Sequence, residues 1–534
     1  MPFTASHIPY RDTRSFSAIA IDYAEGQAAL KPFYTHEPDL HGIKDAIAHR
    51  KAFAGNRSLL VSYLKEQYSA IQMNPKLQAN IDSLLHENTF TITTAHQPNI
   101  FTGHLYFVYK ILHAIKLAEH LKVAVPENNF VPVYYMGSED ADLDELGEVF
   151  INGTHYRWQT DQTGAVGRMK IDKAFIELIA LIEGQLSVEP YGHEILQQVK
   201  KAYTLNKTIE QATFEFVHGL FDKYGLLIFL PDNAIPKKEF NAVVQKELAE
   251  QFSSKAVQET VKGFPEQYKV QAAGRDINLF YLQDGSRERI EKKGDSWILA
   301  DQSKAWTNEE LLLELQNDAK PFSANVILRP VFQEMILPNI AFIGGGGEIA
   351  YWLELKKVFE VAGVPYPVLI LRNSFLVIDK KTADNIQALE MTAVDFFLPA
   401  SEILKRIVNK HTTIQLDLAQ QKAELNDLYK KIELLAAVAD PTLQQHTQAL
   451  FVAAEKRLIQ LEKKMYKAEK LRFEAQQRQI EKIKGKLYPN NTLQERIDNL
   501  LPWYAKYGPQ FIDMLYDNSQ ALEQQFYLLE EVDN

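Results

Sequence analysis

The 534 residues contain no cysteine. That absence excludes disulfides, iron–sulfur clusters, cysteine-ligated zinc and a thiol nucleophile. It also fits a reducing compartment. No window approaches the roughly eighteen apolar residues that a membrane helix needs, so no membrane partner is expected. The opening MPFTASHIPYRDTRSFSAIAIDYAEG lacks the basic and apolar regions of a signal peptide, so the expected location is the cytoplasm. A basic excess is also missing. The net charge is −11, which argues against a general nucleic-acid coat protein. None of the 14 histidines sits in an HExxH-like spacing, so no zinc or other dedicated metal site is expected. What remains is a globular composition, 46% hydrophobic and 24% charged, in a chain long enough for several domains.

Residues 1–90 read as mainly helical, with apolar residues at helical spacing over 43–73 and a break at Gly55–Asn56. A β-branched run at 90–94, a helix over about 104–121 and a strand over 129–136 follow. Strand, loop, helix, strand is the order of a parallel α/β sheet. Residues 150–320 read as sheet completion plus inserted subdomains. Small antiparallel strands are expected at 154–158 and 166–171, a buried strand at 226–230, and a further β unit at 278–282 and 297–299. The sheet pattern returns at 325–328, 340–343 and 367–371, with a helix over 348–361. Beyond about residue 400, Leu418, Leu425, Leu428, Ile432 and Leu435 form one heptad seam, and Leu458, Leu461, Met465 and Ala468 another. Asp440-Pro441 separates them, so an antiparallel helical hairpin is expected there, with arms of about 40 residues reaching roughly 60 Å. Trp503, Tyr504, Tyr507, Phe511 and Leu515 need burial, which draws the tail back to the body.

Four motifs carry chemistry. Thr94–His104 lies where a strand gives way to a helix, the place where open α/β sheets bind ligands. There His96 and His104 are candidate anion donors or acid–base groups, and Pro98 and Gly103 shape the turn. The stretch Gly137–Glu145 packs five carboxylates into seven residues behind Ser138, a good helix N-cap. Such density suits an amine, a hydroxyl array or a metal–nucleotide complex. Gly344, Gly345, Gly346 and Gly347, before Glu348, let backbone amides approach an anion. The spacing Gly345-x-Gly347-x-x-Ala350 also meets a loose dinucleotide fingerprint, and Arg372 would suit a 2′-phosphate, so an NADP-dependent oxidoreductase is a weak alternative. The fourth is the segment 455–486, with eleven Lys or Arg against five Glu, which favours a solvated coiled-coil flank over an RNA-binding arm.

Taken in order, Thr94–Lys110, Pro132–Leu146, Arg329–Lys356 and Leu487–Arg496 with Lys506-Tyr-Gly508 resemble the bacillithiol-biosynthesis cysteine-adding enzymes, the cysteine ligases that complete that thiol. Tyr135-Met-Gly-Ser-Glu-Asp140 and Gly347-Glu-Ile-Ala-Tyr-Trp352 are the most telling, and the match spans nearly the whole chain. The resemblance implies an α/β fold, with a Rossmann-like nucleotidyltransferase-type core, inserted subdomains and a long C-terminal antiparallel coiled-coil hairpin that pairs two subunits as a homodimer. The expected domains are the core over 1–385, with insertions at about 150–320, the hairpin over 386–490 and the returning tail over 491–534. It further implies addition of L-cysteine to the amine of glucosaminyl-malate, with ATP or another nucleotide and Mg as candidate cofactors and no haem, flavin or zinc. On this reading Glu139, Asp140 and His104 are the candidate catalytic residues. His96, Gln97, Asn99, Ser138, Asp142, Arg329, Gln333 and Tyr351 would bind substrate, with Arg329 and Gln333 on the malate carboxylates. Gly103, Gly344–Gly347, Glu348, Asn490, Arg496 and Lys506 would bind nucleotide or other anions. A tRNA-linked or nucleic-acid-linked transferase using the basic arm is the main rival, and a scaffold built on the coiled coil a third reading.

Overall fold

The computed structural model describes residues 3–272 and 274–533. The chain divides into two compact units, Met1–Val377 with Thr492–Asn534, and Ile378–Asn491.

The first unit is built on five parallel strands: β1 (Thr89–His96), β2 (Asn129–Met136), β3 (Leu227–Phe229), β4 (Asn339–Gly344) and β5 (Val368–Leu371). Their order across the sheet is β5-β4-β1-β2-β3, the doubly wound order of a Rossmann-like fold. β1 is buried at every position, as expected of a central parallel strand covered on both faces. Its polar threonines are satisfied sideways: Thr93 donates to Asn339 Oδ1 at 2.8 Å, and Asn339 donates to Glu334 at 2.7 Å. The helix Leu105–Ala124 packs across β1 and β2 and buries thirteen of its side chains. Strand order reverses direction between β1 and β4, so a crevice opens beyond their carboxyl ends.

Two insertions flank that crevice. Glu148–Ile151 and Thr154–Arg157 form a small antiparallel hairpin. The expected strand at 166–171 is instead a short 3-10 turn, Val166–Arg168, with a lone bridge from Lys170 to Thr208. Further on, Leu279–Gln283 and Ser286–Lys293 pair antiparallel around the two-residue turn Asp284-Gly285, and three more short strands complete this sheet; Asp-Gly is a preferred hairpin connection. Residues 325–328 are not a strand: they turn the chain into the helix Arg329–Ile336, with Pro330 in its first turn. The expected helix over 348–361 is two, Gly346–Leu353 and Lys356–Ala362, because the first ends at Glu354, whose carboxylate accepts the N–H groups of Gln271 and Ala272. The tail returns as Phe526–Glu531, antiparallel to Phe3–Ile8.

The second unit is helical. Ala419–Ala439 and Leu443–Lys470 form the hairpin, and its tip is fixed by Asp440 Oδ1, which accepts from the Thr442 N–H at 2.8 Å. Lys422 pairs with Glu462 at 3.1 Å, and Tyr429 meets Phe451 at 5.7 Å. The first arm is interrupted at 412–418, whereas the second keeps its expected length: one 3-10 turn, Leu471–Phe473, joins Leu443–Lys470 to Glu474–Leu487. Among the described residues no helix is long and apolar enough to cross a membrane.

Candidate functional site

After β1 the backbone turns sharply. Phe101, Thr102 and Gly103 have φ of 51°, 72° and 61°, a run that only a well-supported turn sustains. The support comes from the tail: Asn499 Nδ2 donates to Phe101 O at 2.9 Å and to Gly103 O at 2.5 Å. This turn delivers the helix Leu105–Ala124 beside the crevice, so Tyr106 and Lys110 face into it. The loop after β2 brings Glu139 and Asp140, and the loop after β4 brings Gly345, Gly346 and Gly347. Together they enclose a cavity of about 570 Å³, within the roughly 300–1,000 Å³ typical of small-molecule sites.

Seven cationic side chains line the cavity: Lys110, Arg275, Arg287, Arg289, Arg329, Arg372 and Arg496. Only four carboxylates do: Glu139, Asp140, Glu145 and Glu348. In a chain of net charge −11 this is a local reversal of sign, and a concave wall of one sign focuses its field on an anion. Several of the cations are held rigidly. Arg372 pairs with the buried Glu495 at 2.7 Å, donates to Ser374 Oγ at 2.9 Å and lies over the Tyr106 ring, while its Nε has no partner. Arg329 donates to Tyr351 Oη at 3.1 Å and to Gln333 Oε1 at 3.2 Å, above the Tyr135 ring. Arg287 lies 4.1 Å from the Phe280 ring centre. Burial lowers the Lys110 ammonium below its usual range against the pull of Glu348, its ion-pair partner.

Twelve of the residues singled out from sequence line this cavity: His96, Gln97, Glu139, Asp140, Arg329, Gly345, Gly346, Gly347, Glu348, Tyr351, Arg372 and Arg496. Gln97 Nε2 donates to Asp140 Oδ2 at 3.1 Å, joining the first two loops. His96 is wedged against Tyr106 and Phe107, and burial, then Lys110, push it well below the usual imidazole range. Its Nε2 is buried and unpartnered. Glu348 does two jobs. Its Oε2 accepts the Gly345 N–H at 2.8 Å and pairs with Lys110. The glycine loop is thus partly capped by its own helix, and the amides of Gly346 and Gly347 remain at its start.

Other expected residues stand elsewhere. His104 points away from the lining, with Nδ1 3.2 Å from Ile497 O, since the left-handed turn carries it past the crevice. Asn99 is buried beneath Gly103, outside the lining with it. Ser138 is no helix cap: the helix starts at Leu143, and Asp142 is the cap, accepting from the Glu145 N–H at 3.2 Å. Asp142 and Ser138 are both outside the lining. Gln333 is fully buried and acts on Arg329 and Glu334. Gly344 packs on Phe342. Lys506 lies outside the lining and donates to Tyr507 Oη at 2.7 Å, and Asn490 belongs to the second unit. Arg372, considered for a 2′-phosphate, does line the cavity, with Nη2 on Glu495.

Three cavity arginines were not legible as site residues: Arg275, Arg287 and Arg289. The last two alternate on one strand, Ser286–Lys293, so they share a face. That i, i+2 pairing between Gly285 and Gly294 is the signal that would have exposed them.

Comparison with known proteins gives the family. The model of the bacillithiol biosynthesis BshC N-terminal Rossmann-like domain matches residues 3–373, and that of the BshC C-terminal coiled-coil domain matches 375–531. The chain belongs to the BshC family. A relative from Flavobacterium johnsoniae described as "Putative cysteine ligase BshC" is 36% identical over 524 residues, covering 98% of this chain and 99% of that one. One of the same description from Christiangramia forsetii is 36% identical over 529 residues, covering 98% of each. A solved chain from Campylobacter jejuni, titled "putative arginyl t-RNA synthetase", covers 83% of this chain and 97% of that one at 10% identity and a TM-score of 0.24, too low to bear on fold or function. Among the described residues of this BshC-family chain no group of three His, Asp or Glu forms a metal-binding cluster.

Proposed function

We propose that this chain adds L-cysteine to the amine of glucosaminyl-malate, the step that completes bacillithiol, in the cytoplasm. The observation that carries the reading is the cavity at the strand switch point of a BshC-family chain, where seven cations face four carboxylates. The substrates match that pattern. Malate brings two carboxylates and cysteine a third, while the sugar amine arrives as a cation.

Arg329, oriented by Tyr351 and Gln333, offers its two-pronged fork to a carboxylate. Glu139 and Asp140 face the same space and hold the ammonium; one of them takes its proton so that the neutral nitrogen can attack. Developing negative charge on the acyl oxygen is met by the Gly346 and Gly347 amides, by Lys110 and by Arg372. A nucleotide fits this wall: the unpartnered Arg372 Nε and the glycine amides suit phosphate oxygens. When bound it supplies activation of the cysteine carboxylate, whose oxygen must leave for the amide to form. The second unit is proposed to pair two copies, since Leu434, Leu435 and Val438 stay 69–88% exposed on its hairpin.

The test is a thiol profile by mass spectrometry in a strain lacking this gene, with and without complementation. Loss of bacillithiol with accumulation of glucosaminyl-malate is expected. Complementation with Glu139→Ala or Asp140→Ala should fail to restore the thiol although the variants accumulate as folded protein. An unchanged thiol pool in the deletion strain overturns the reading.

A further inference from the structure

Behind the cavity floor, four ionisable side chains meet. Lys237, on the helix Ala234–Glu239, ion-pairs with Glu139 and with Asp232, the latter at 3.0 Å. It also donates to Lys320 O at 2.6 Å. Asp232, just beyond β3, accepts both prongs of Arg168 at 2.6 and 2.8 Å.

Of these, only Glu139 lines the cavity. The side chains of Lys237 and Asp232 are each 5% exposed. Neither reaches a substrate, so whatever they contribute passes through Glu139. Its Oε1 is turned to Lys237, which leaves the second oxygen for the cavity.

Asp232, despite burial, is held to about 2 by Lys237 and Arg168, so it stays the charged partner of both cations.

We infer that Lys237 is the positioning residue that aims Glu139 at the substrate amine. The inference rests on the reading that Glu139 meets that amine. Purified full-length chain is assayed for cysteine addition as wild type, Lys237→Met and Lys237→Arg. Lys237→Met should lose on the order of 100-fold in kcat, the scale of a displaced catalytic group, with KM nearly unchanged. Lys237→Arg should recover most of that loss. Full kcat in Lys237→Met overturns the inference.

A second readout needs no turnover. Lys237→Met leaves the buried Asp232 with Arg168 alone as its cation, so its Tm should fall below that of wild type, and Lys237→Arg should restore most of the difference. Equal Tm values overturn the network. If wild type fails to join cysteine to glucosaminyl-malate, the functional reading fails, and the Tm comparison still decides the network.

Discussion

Gly103 runs at φ +61°, and a Cβ there would meet Asn99 Cβ at 2.7 Å. Both the dihedral and the space demand glycine, and the Asn499 amide holds the turn from the other side. Gly103→Ala should cost about 1–3 kcal/mol. Urea unfolding would show it as a lower midpoint at unchanged slope; an unchanged midpoint would mean the turn relaxes freely. The same turn explains what sequence could and could not reveal about single residues. Side chains on the loops immediately after β1, β2 and β4 reach the cavity, as the strand–loop–helix order implies. His104 sits only eight residues beyond His96, yet three left-handed residues in between turn it away, and no periodicity encodes that. Ser138 looked like a cap because acidic residues follow it, but the chain spends four more residues before the helix forms at Leu143.

Elements were easier to read when they were long and buried. The Thr-rich run of β1 and the apolar helix Leu105–Ala124 declare themselves, because each is almost wholly covered. Of the short inserted strands, those at 154–157, 279–283 and 296–299 were legible, whereas Ser286–Lys293 was not, since exposed β residues alternate weakly and tertiary pairing decides them. The strand Ser286–Lys293 is the costly case, because it carries two cavity arginines. Its pleat sets Arg287 and Arg289 on one face and Glu288 on the other. Arg287→Ala with Arg289→Ala should raise KM for glucosaminyl-malate at least tenfold, about 1.4 kcal/mol or more of lost binding. Glu288→Ala should leave KM within about twofold. Steady-state kinetics with the three variants decides it, and equal effects of Glu288 and its neighbours would remove the strand from substrate binding.

For the whole molecule, the second unit poses the sharper physical question. In the first unit the sheet is sealed by helices, and its apolar side chains have cover. The helix Ala419–Ala439 has none of its residues buried, although Leu425, Leu428, Ile432 and Leu435 follow the heptad spacing. Leu435 is 74% exposed and Val438 88% exposed. Apolar surface left open along a helix costs about 25 cal/mol per Å² relative to burial, so a second copy of the same face is a strong attractor. Two such helices do not suffice alone, but 21 residues, about 31 Å at 1.5 Å per residue, offer length for an isologous seam. Sedimentation equilibrium should therefore find a dimer at micromolar concentration. Leu435→Lys with Val438→Lys should shift it to monomer while leaving the cooperative melt of the first unit in place, because neither residue belongs to that unit. A dimer that survives both lysines would move the self-association face off this helix. A wild-type monomer would leave the exposed leucines for a different partner.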